Sequence, residues 1–542
     1  MRRPPPRPKP VLVPPVVVDT KVLGALPVVA EFCRRLGIAG IVDRACPIRD
    51  VALATHGEVL EALIANRLTS PRPLVRVANW AEEWAVAEVF GIDAALLNDD
   101  RVGRALDALA PELDGIVGSI GAKAIAKFGI DVSRLHWDMT SISLFGDYNS
   151  ADGRFVTPSY GHPKDRRVDL KQIQCGLGVS DDGGIPVWHR SFEGRAGEVN
   201  QVIGAMESLR DMCEPRKFLM VGDSKLVSYK NLSALIDAKM TFIAPASKSY
   251  VSQAELAACD WETATPADFV AERDRPMPAG GRASYRVIED TWLMSGSRKA
   301  DRALALRKVF VWSSANAGAA AKSRAKKLAR ATEDLESLCR GLGGRHYATP
   351  AAVTARLTTI ATKRRVGAYL RTEVGLDDTG RPTLTWRFDA EALAGEAASD
   401  GWYCLLTNLD ATSVDATAVL SRYKGQEVVE RRYSSFKGPL AVAPVFLKNN
   451  ARIEALLSVI CLALLIFCLV ERELRRGIAP NIKMAGLGIY RDARPTGRLI
   501  FEALSRLKLY PATATSPPKV PEPPPLQARI LQCLGVEAIA QR

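Results

Sequence analysis

The sequence predicts an α/β protein: a mixed-sheet core broken by a large insertion and preceded by an all-helical region. Three observations carry this. From about Asp19 to Ile130, apolar residues recur at helical spacing. From Arg134 onward, short strand-like runs alternate with helical stretches. Between residues 246 and 399 that regularity is lost, and it resumes at Gly401.

In the first region, Val59, Leu60, Leu63 and Ile64 follow Thr55, a candidate N-cap. Trp80, Trp84 and the run from Val86 to Phe90 form a second amphipathic stretch, and Val102 to Leu109 a third. Arg67, Arg72, Arg76, Arg101 and Arg104 suit DNA phosphates, and a solvated helical surface accounts for them equally well. The core opens with a strand from Leu135 to Leu144 and a polar, Gly-rich loop to Leu170. Lys171 to Val179 and Ile185 to Phe192 read as strands joined by the turn from Asp181 to Gly184. Glu198 to Met212 reads as helix, and Phe218 to Val221 as a short apolar strand of central, parallel type. Ser228 to Lys239 continues as helix and Thr241 to Ala244 as strand, which completes a mixed α/β pattern. Within the insertion, Arg302 to Val311 is strand or helix, and Thr383 to Phe388 alternates like a strand. Ala317 to Leu342 is a basic helix with Lys322, Arg324, Lys326, Lys327 and Arg330. Gly401 to Thr407 returns to strand, followed by one long helix from about Ser413 to Phe436 and an apolar helix after Asn450. The expected organisation is therefore a Pro-rich basic tail (1–18), a helical N-terminal domain (19–130) and a core (131–245 and 400–509). An insertion domain (246–399) and a Pro-rich C-terminal tail with a short helix (510–542) complete it.

Composition narrows the function. The 542 residues are 47% hydrophobic and 25% charged, which excludes a wholly disordered chain. The net charge of +13 and sequence pI near 9.3 suit a polyanion, nucleic acid before an anionic membrane. A basic protein with no such partner stays open. Ten cysteines form no C-x-x-C pair and only five histidines exist, which argues against structural zinc. Scattered thiols in a chain this long fit a reduced cytoplasmic compartment. The basic start, MRRPPPRPKP, has no apolar segment of signal-peptide type. The apolar run from Ala455 to Val470 falls short of the roughly 20 residues a bilayer span needs, so a buried core helix is expected and no membrane.

Three features carry chemistry. Asp138 shares a strand face with His136 and Thr140. Asp223 directly follows the apolar strand, at the carboxyl end where α/β sheets gather ligands. On the later helix, Tyr423, Glu427, Glu430, Ser434 and Lys437 fall on one stripe; ordinary charge pairing explains the acidic residues as well. Carboxylates from separate elements suit a hard divalent cation, and two such ions about 4 Å apart cut phosphodiesters.

The order strand Asp138, strand-end Asp223, insertion, helical Glu430 resembles the DDE transposases of bacterial insertion sequences, whose core is RNase H-like. The helix resembles the Y-x2-R-x3-E-x6-K signature of the insertion-sequence-four superfamily through Tyr423, Glu430 and Lys437, with Gln426 standing at the Arg. HWDMTSISLFGDY, GHPKDRRVDLKQ and KGPLAVAPVFLKNNARIEALLSVICLALL are similar to its larger members. The resemblance implies Asp138, Asp223 and Glu430 as catalytic ligands of two Mg²⁺ (or Mn²⁺) ions. It implies strand cleavage at an element's terminal inverted repeats, strand transfer into target DNA, and a homodimer on paired ends. Tyr423, Gln426 and Lys437 would then meet phosphates. Lys164, Arg166, Arg167 and Lys171 form a loop that could grip double-stranded DNA, and a solvated loop accounts for the same residues. Trp292, Trp312 and Trp386 are candidates for base stacking and, equally, core residues. His136 and His162 read as structural, and Cys461 and Cys468 as packing residues. Two other readings stay open: a non-cutting DNA-binding protein of transposase descent, and a metal-dependent nuclease on the same fold. The resemblance places the protein in a bacterial cytoplasm, associated with the nucleoid. It also predicts that Glu430→Gln abolishes cleavage while Glu427→Gln is milder.

Overall fold

A computed structural model of the chain describes residues 20–148, 153–214, 217–438, 440, 447–478, 483–488, 491–513 and 516–538. The Pro-rich start and most of the segment 439–446 within KGPLAVAPVFLKNN lie outside these. Compactness divides the chain into two units. One comprises Met1–Val132, Met139–Ala196 and Val429–Arg542; the other comprises Ser133–Asp138 and Gly197–Val428. The strand Arg134–Leu144 starts in the second and continues in the first.

The second unit holds a large mixed sheet. Its strand order is Arg134–Leu144, Leu219–Val221, Thr241–Pro245, Trp402–Thr407, Leu304–Ser313, Tyr285–Met294, Thr265–Ala267. The first three run parallel and the rest pair antiparallel. The helix Tyr229–Asp237 makes the crossover that parallel pairing requires between Leu219–Val221 and Thr241–Pro245. Val221, Ile243, Val287, Val309, Val311 and Leu405 fill the core beside this sheet. β-branched side chains suit a pleated, buried surface, which is why these short runs are strands. Arg302 to Val311, open to either reading in the sequence, lies largely in the strand Leu304–Ser313. Three strands between residues 265 and 313 thus join the sheet from a stretch expected to be insertion. After them, the helices Ser314–Arg340 and Pro350–Arg364 and the hairpin Leu370–Leu376/Pro382–Phe388 pack around Leu335, Leu338, Val353, Leu357 and Ile360.

One expected helix is two. The chain forms Ala416–Lys424 and then Glu427–Lys437, so Tyr423 and Glu430 do not share a single helix. Gly425 weakens the helix where it breaks. Short-range bonds from Gln426 N to Tyr423 O (2.9 Å) and from Val428 N to Gly425 O (3.0 Å) replace the regular ladder there.

The first unit centres on the helix Asn450–Gly477, capped by Asn449. At 28 residues it is longer than the apolar run alone indicated, and long and apolar enough to cross a membrane. Its most apolar window is nevertheless 94% buried within the protein. Each of its buried Leu and Ile side chains contributes about 2 kcal/mol by leaving water. The helices between Leu26 and Phe128 belong to this unit, among them His56–Thr69 with a complete Thr55–Glu58 capping box. The hairpin Lys171–Ser180/Pro186–Phe192 packs on the long helix, and His189 Nε2 lies 2.8 Å from Ser458 Oγ across that contact. At the hairpin turn, Gly183 adopts φ +75° and its carbonyl, with that of Gly184, accepts from buried Arg432. Arg432 also pairs with Glu471, whose second oxygen accepts from Gly497 N. The C-terminal stretch ends in a helix, Pro525–Leu534, that buries Gln527, Ile530, Leu531 and Leu534.

Candidate metal centre

The parallel register sets Val221 opposite His136. Two residues further on, Asp223 and Asp138 therefore arrive at the same end of the sheet, the carboxyl end. A third carboxylate joins them. Among the described residues, ligand oxygens of Asp138, Glu198 and Asp223 all lie within 4.8 Å of one another. Asp138 is buried, and the other two are half-buried. All three belong to the second unit.

Local structure holds each side chain. Asp138 sits in a strand whose neighbours His136, Trp137 and Met139 are buried, so its backbone has little freedom. Asp223 caps the turn Ser224–Leu226, its Oδ1 accepting from Lys225 N at 2.8 Å. Glu198 opens the single-turn helix Glu198–Gln201. Buried Asn231 ties these two turns together: its Nδ2 donates to Val199 O (2.8 Å) and to Leu226 O (3.3 Å). Asn231 is thus a positioning residue for Glu198 and Asp223. Behind Asp138, the His136 Nδ1–H donates to Gln426 Oε1 at 3.0 Å, and Gln426 Nε2 donates to Trp137 O at 3.2 Å. Gln426, which takes the signature's Arg position, is fully engaged in fixing the strand that carries Asp138.

Three oxygens of this kind suit a hard divalent cation such as Mg²⁺ or Mn²⁺, which takes carboxylate and water ligands. Carboxylates at such distances repel by roughly 3 kcal/mol per pair at an effective dielectric of about 20. A divalent cation removes that repulsion, so the donor set fits the metal that the sequence implies.

The other sequence-derived residues fall as follows. Glu430 lies in the first unit, exposed on Glu427–Lys437, and Lys437 ends that helix. Tyr423 lies in the second unit, its ring 6.5 Å from that of Tyr403. In the charged loop, Lys164 Nζ donates to Met139 O, and Lys171 Nζ to Tyr148 O at 3.0 Å. Arg167 pairs with Asp169 at 2.8 Å, and exposed Arg166 takes φ +63°. The Ser143 hydroxyl, the Arg167 amide and the Lys437 charge together outweigh burial and hold the Asp165 carboxyl below its usual range. His136 is buried and His162 exposed. Trp312 Nε1 donates to Asp400 O at 3.1 Å and its ring meets Trp261 edge-on. Trp386 packs against Phe388 within the hairpin core. Trp292 is half-buried under the Lys308 ammonium, 4.7 Å from the ring centre. Cys461 is buried beside Cys175, Sγ to Sγ 3.8 Å, and Cys468 is buried on the same helix.

Glu198 and Asn231 were not singled out from the sequence. Glu198 reads there as an ordinary acidic residue at a helix start, a position that favours carboxylates for the helix dipole alone. In the fold its turn lies against the turn that follows Asp223, with Asn231 bonded to both.

A family profile described as "Domain of unknown function (DUF4277)" matches residues 18–114. No curated protein matches the chain. Among solved structures, the chain matches the cryo-EM structure of a piggyBac transposase synaptic complex with hairpin DNA. The identity is 8% and the TM-score 0.36, over 88% of this chain and 79% of that one. A score this low establishes no shared fold.

Proposed function

We propose that this chain is a divalent-metal-dependent DNA strand-cutting enzyme of the DDE transposase kind, with an RNase H-like core. The observation that carries the reading is the carboxylate cluster Asp138, Glu198 and Asp223 at the carboxyl end of a parallel strand pair. The order of Asp138, Asp223 and the signature residues Tyr423, Glu430 and Lys437 along the chain supports it. So does the net charge of +13.

The three carboxylates would hold Mg²⁺ or Mn²⁺, two ions in the full site. The metal would supply an activated water and neutralise charge on the leaving oxygen. Asp138 fixes the site from a rigid strand, and Asn231 keeps Glu198 and Asp223 at a constant distance. In the first step water attacks phosphorus and the P–O3′ bond breaks, leaving a 3′-hydroxyl and a 5′-phosphate. In the second, that hydroxyl attacks a target phosphate and the target's own 3′ oxygen leaves. Tyr423 and Lys437 would contact phosphates at element ends. A homodimer would pair two such ends.

The third carboxylate has two assignments: Glu198 by geometry and Glu430 by the signature. The test is cleavage of the gene's flanking DNA with Mg²⁺ or EDTA, comparing wild type with Asp223→Asn, Glu198→Gln, Glu430→Gln and Glu427→Gln. Metal-dependent cutting lost in Asp223→Asn supports the reading, and the more damaging of Glu198→Gln and Glu430→Gln identifies the third ligand. Binding of duplex with no cutting under any metal would overturn it.

A further inference from the structure

The helix Ser314–Arg340 presents two different surfaces along its length. Its buried residues Ala331, Leu335 and Leu338 all lie in the second half. No residue from 314 to 330 is buried. That first half carries Lys322, Arg324, Lys326, Lys327 and Arg330 and contains no acidic residue. Arg324 is committed, pairing with Asp400 and with Glu396. Among the described residues, no ion pair reaches Lys322, Lys326, Lys327 or Arg330.

Their placement is orderly. At about 100° per residue, Lys322, Lys326 and Arg330 fall within an arc of about 80°, and half-buried Lys327 lies about 60° beyond it, beside the buried face. The buried residues and Arg324 lie on the opposite side. Ala315 and Ala319 continue the stripe toward the N-terminus and are exposed. Their small side chains leave the face open to a bulky partner. Like charges four residues apart weaken an isolated helix, so this pattern is unfavourable until an anion meets it. A row of cations along one helical face matches the repeating charge of a phosphate backbone better than a single small anion.

We propose that this face, which shares no residue with the carboxylate centre, binds the phosphate backbone of duplex DNA. The choice of DNA as occupant rests on the function proposed above; the charge pattern does not. The face adds affinity without reading sequence, since lysines contacting phosphates position a duplex rather than specify it.

The test is fluorescence anisotropy of the full chain with a labelled 30-base-pair duplex of arbitrary sequence, titrated over salt. Wild type is compared with K322Q/K326Q/K327Q/R330Q and with Asp223→Asn. The slope of log affinity against log salt should become shallower by about three to four in the fourfold variant. Low-salt affinity should fall at least tenfold, and Asp223→Asn should keep the wild-type slope. Far-UV circular dichroism should not change, because Lys322, Lys326 and Arg330 are exposed and none of the four is buried. Should the fourfold variant unfold, Lys322→Gln and Lys326→Gln singly should each reduce the slope by about one. Unchanged slope and affinity in a folded variant would overturn the proposal, as would loss of poly-glutamate binding with duplex binding intact. Binding without cleavage would count against the catalytic reading alone, and cleavage with an unchanged slope against this face alone.

Discussion

Acidification from pH 7 to pH 5 should destabilise the protein by about 2 kcal/mol through His189 alone. His189 lies buried on the strand Pro186–Phe192 against the apolar helix, bonded to Ser458. Burial pushes its imidazole pKa down to about 3, and the Asp114 carboxylate opposes that only weakly. In the unfolded chain the value returns to about 6.5. Below that pH the unfolded chain takes up a proton that the folded chain refuses, so unfolding gains. This contribution is fully present above about pH 6.5 and is lost as pH falls toward 3. Each pH unit in that window costs about 1.4 kcal/mol, which gives the stated loss at pH 5. His56, lowered mainly by burial and also by Arg101, acts in the same direction. Asp165, Asp182 and Asp334 have carboxyls held below the usual range, so their contribution is lost only at lower pH. The assay is urea unfolding at both pH values for wild type and His189→Gln, which keeps a hydrogen-bonding side chain and cannot titrate. The variant should lose about 2 kcal/mol less than wild type on acidification. Equal losses in the two proteins would refute the reasoning.

Asn231→Ala should lower Mn²⁺ affinity about tenfold or more while leaving all three carboxylates in place, measured by calorimetry, because it frees the turns that carry Glu198 and Asp223. Arg432→Ala should cost about 3 kcal/mol or more in urea unfolding, since it strands buried Glu471 and the carbonyls of Gly183 and Gly184. Gly57→Ala should lower the melting temperature by several degrees, because a Cβ there would collide with the Ala39 backbone where two helices cross.

The positions of the two aspartates were legible in the sequence, one at a strand end and one inside a strand. Asp223 follows a continuous apolar run, and Asp138 lies in a long strand-like segment, so both are local signals. Glu198 was not legible. Its tie to Asp223 runs through Asn231 and depends on a crossover that no local pattern encodes. Gln426 reads in sequence as a missing Arg, whereas the fold uses its amide to brace the strand of Asp138. The break after Lys424 was hidden because Tyr423, Glu427, Glu430, Ser434 and Lys437 keep helical spacing across Gly425. The apolar segment was legible as buried helix by composition, while its full extent takes in the charged Glu471 and Arg472, which are buried and pair with Arg432 and Asp182. The strand Tyr285–Met294 was obscured by a break in its alternation, where consecutive Glu289, Asp290 and Thr291 are all exposed.

The most direct test of the central claim is a Mn²⁺ titration of the purified chain followed by electron paramagnetic resonance. Wild type, Asp223→Asn, Glu198→Gln and the surface control Glu427→Gln would be compared. If Asp138, Glu198 and Asp223 form a metal centre, wild type and Glu427→Gln bind Mn²⁺ with the same affinity, and Asp223→Asn and Glu198→Gln each lose at least tenfold. Equal affinity in all four proteins would contradict the account, because the three carboxylates would then be neighbours without a shared ion.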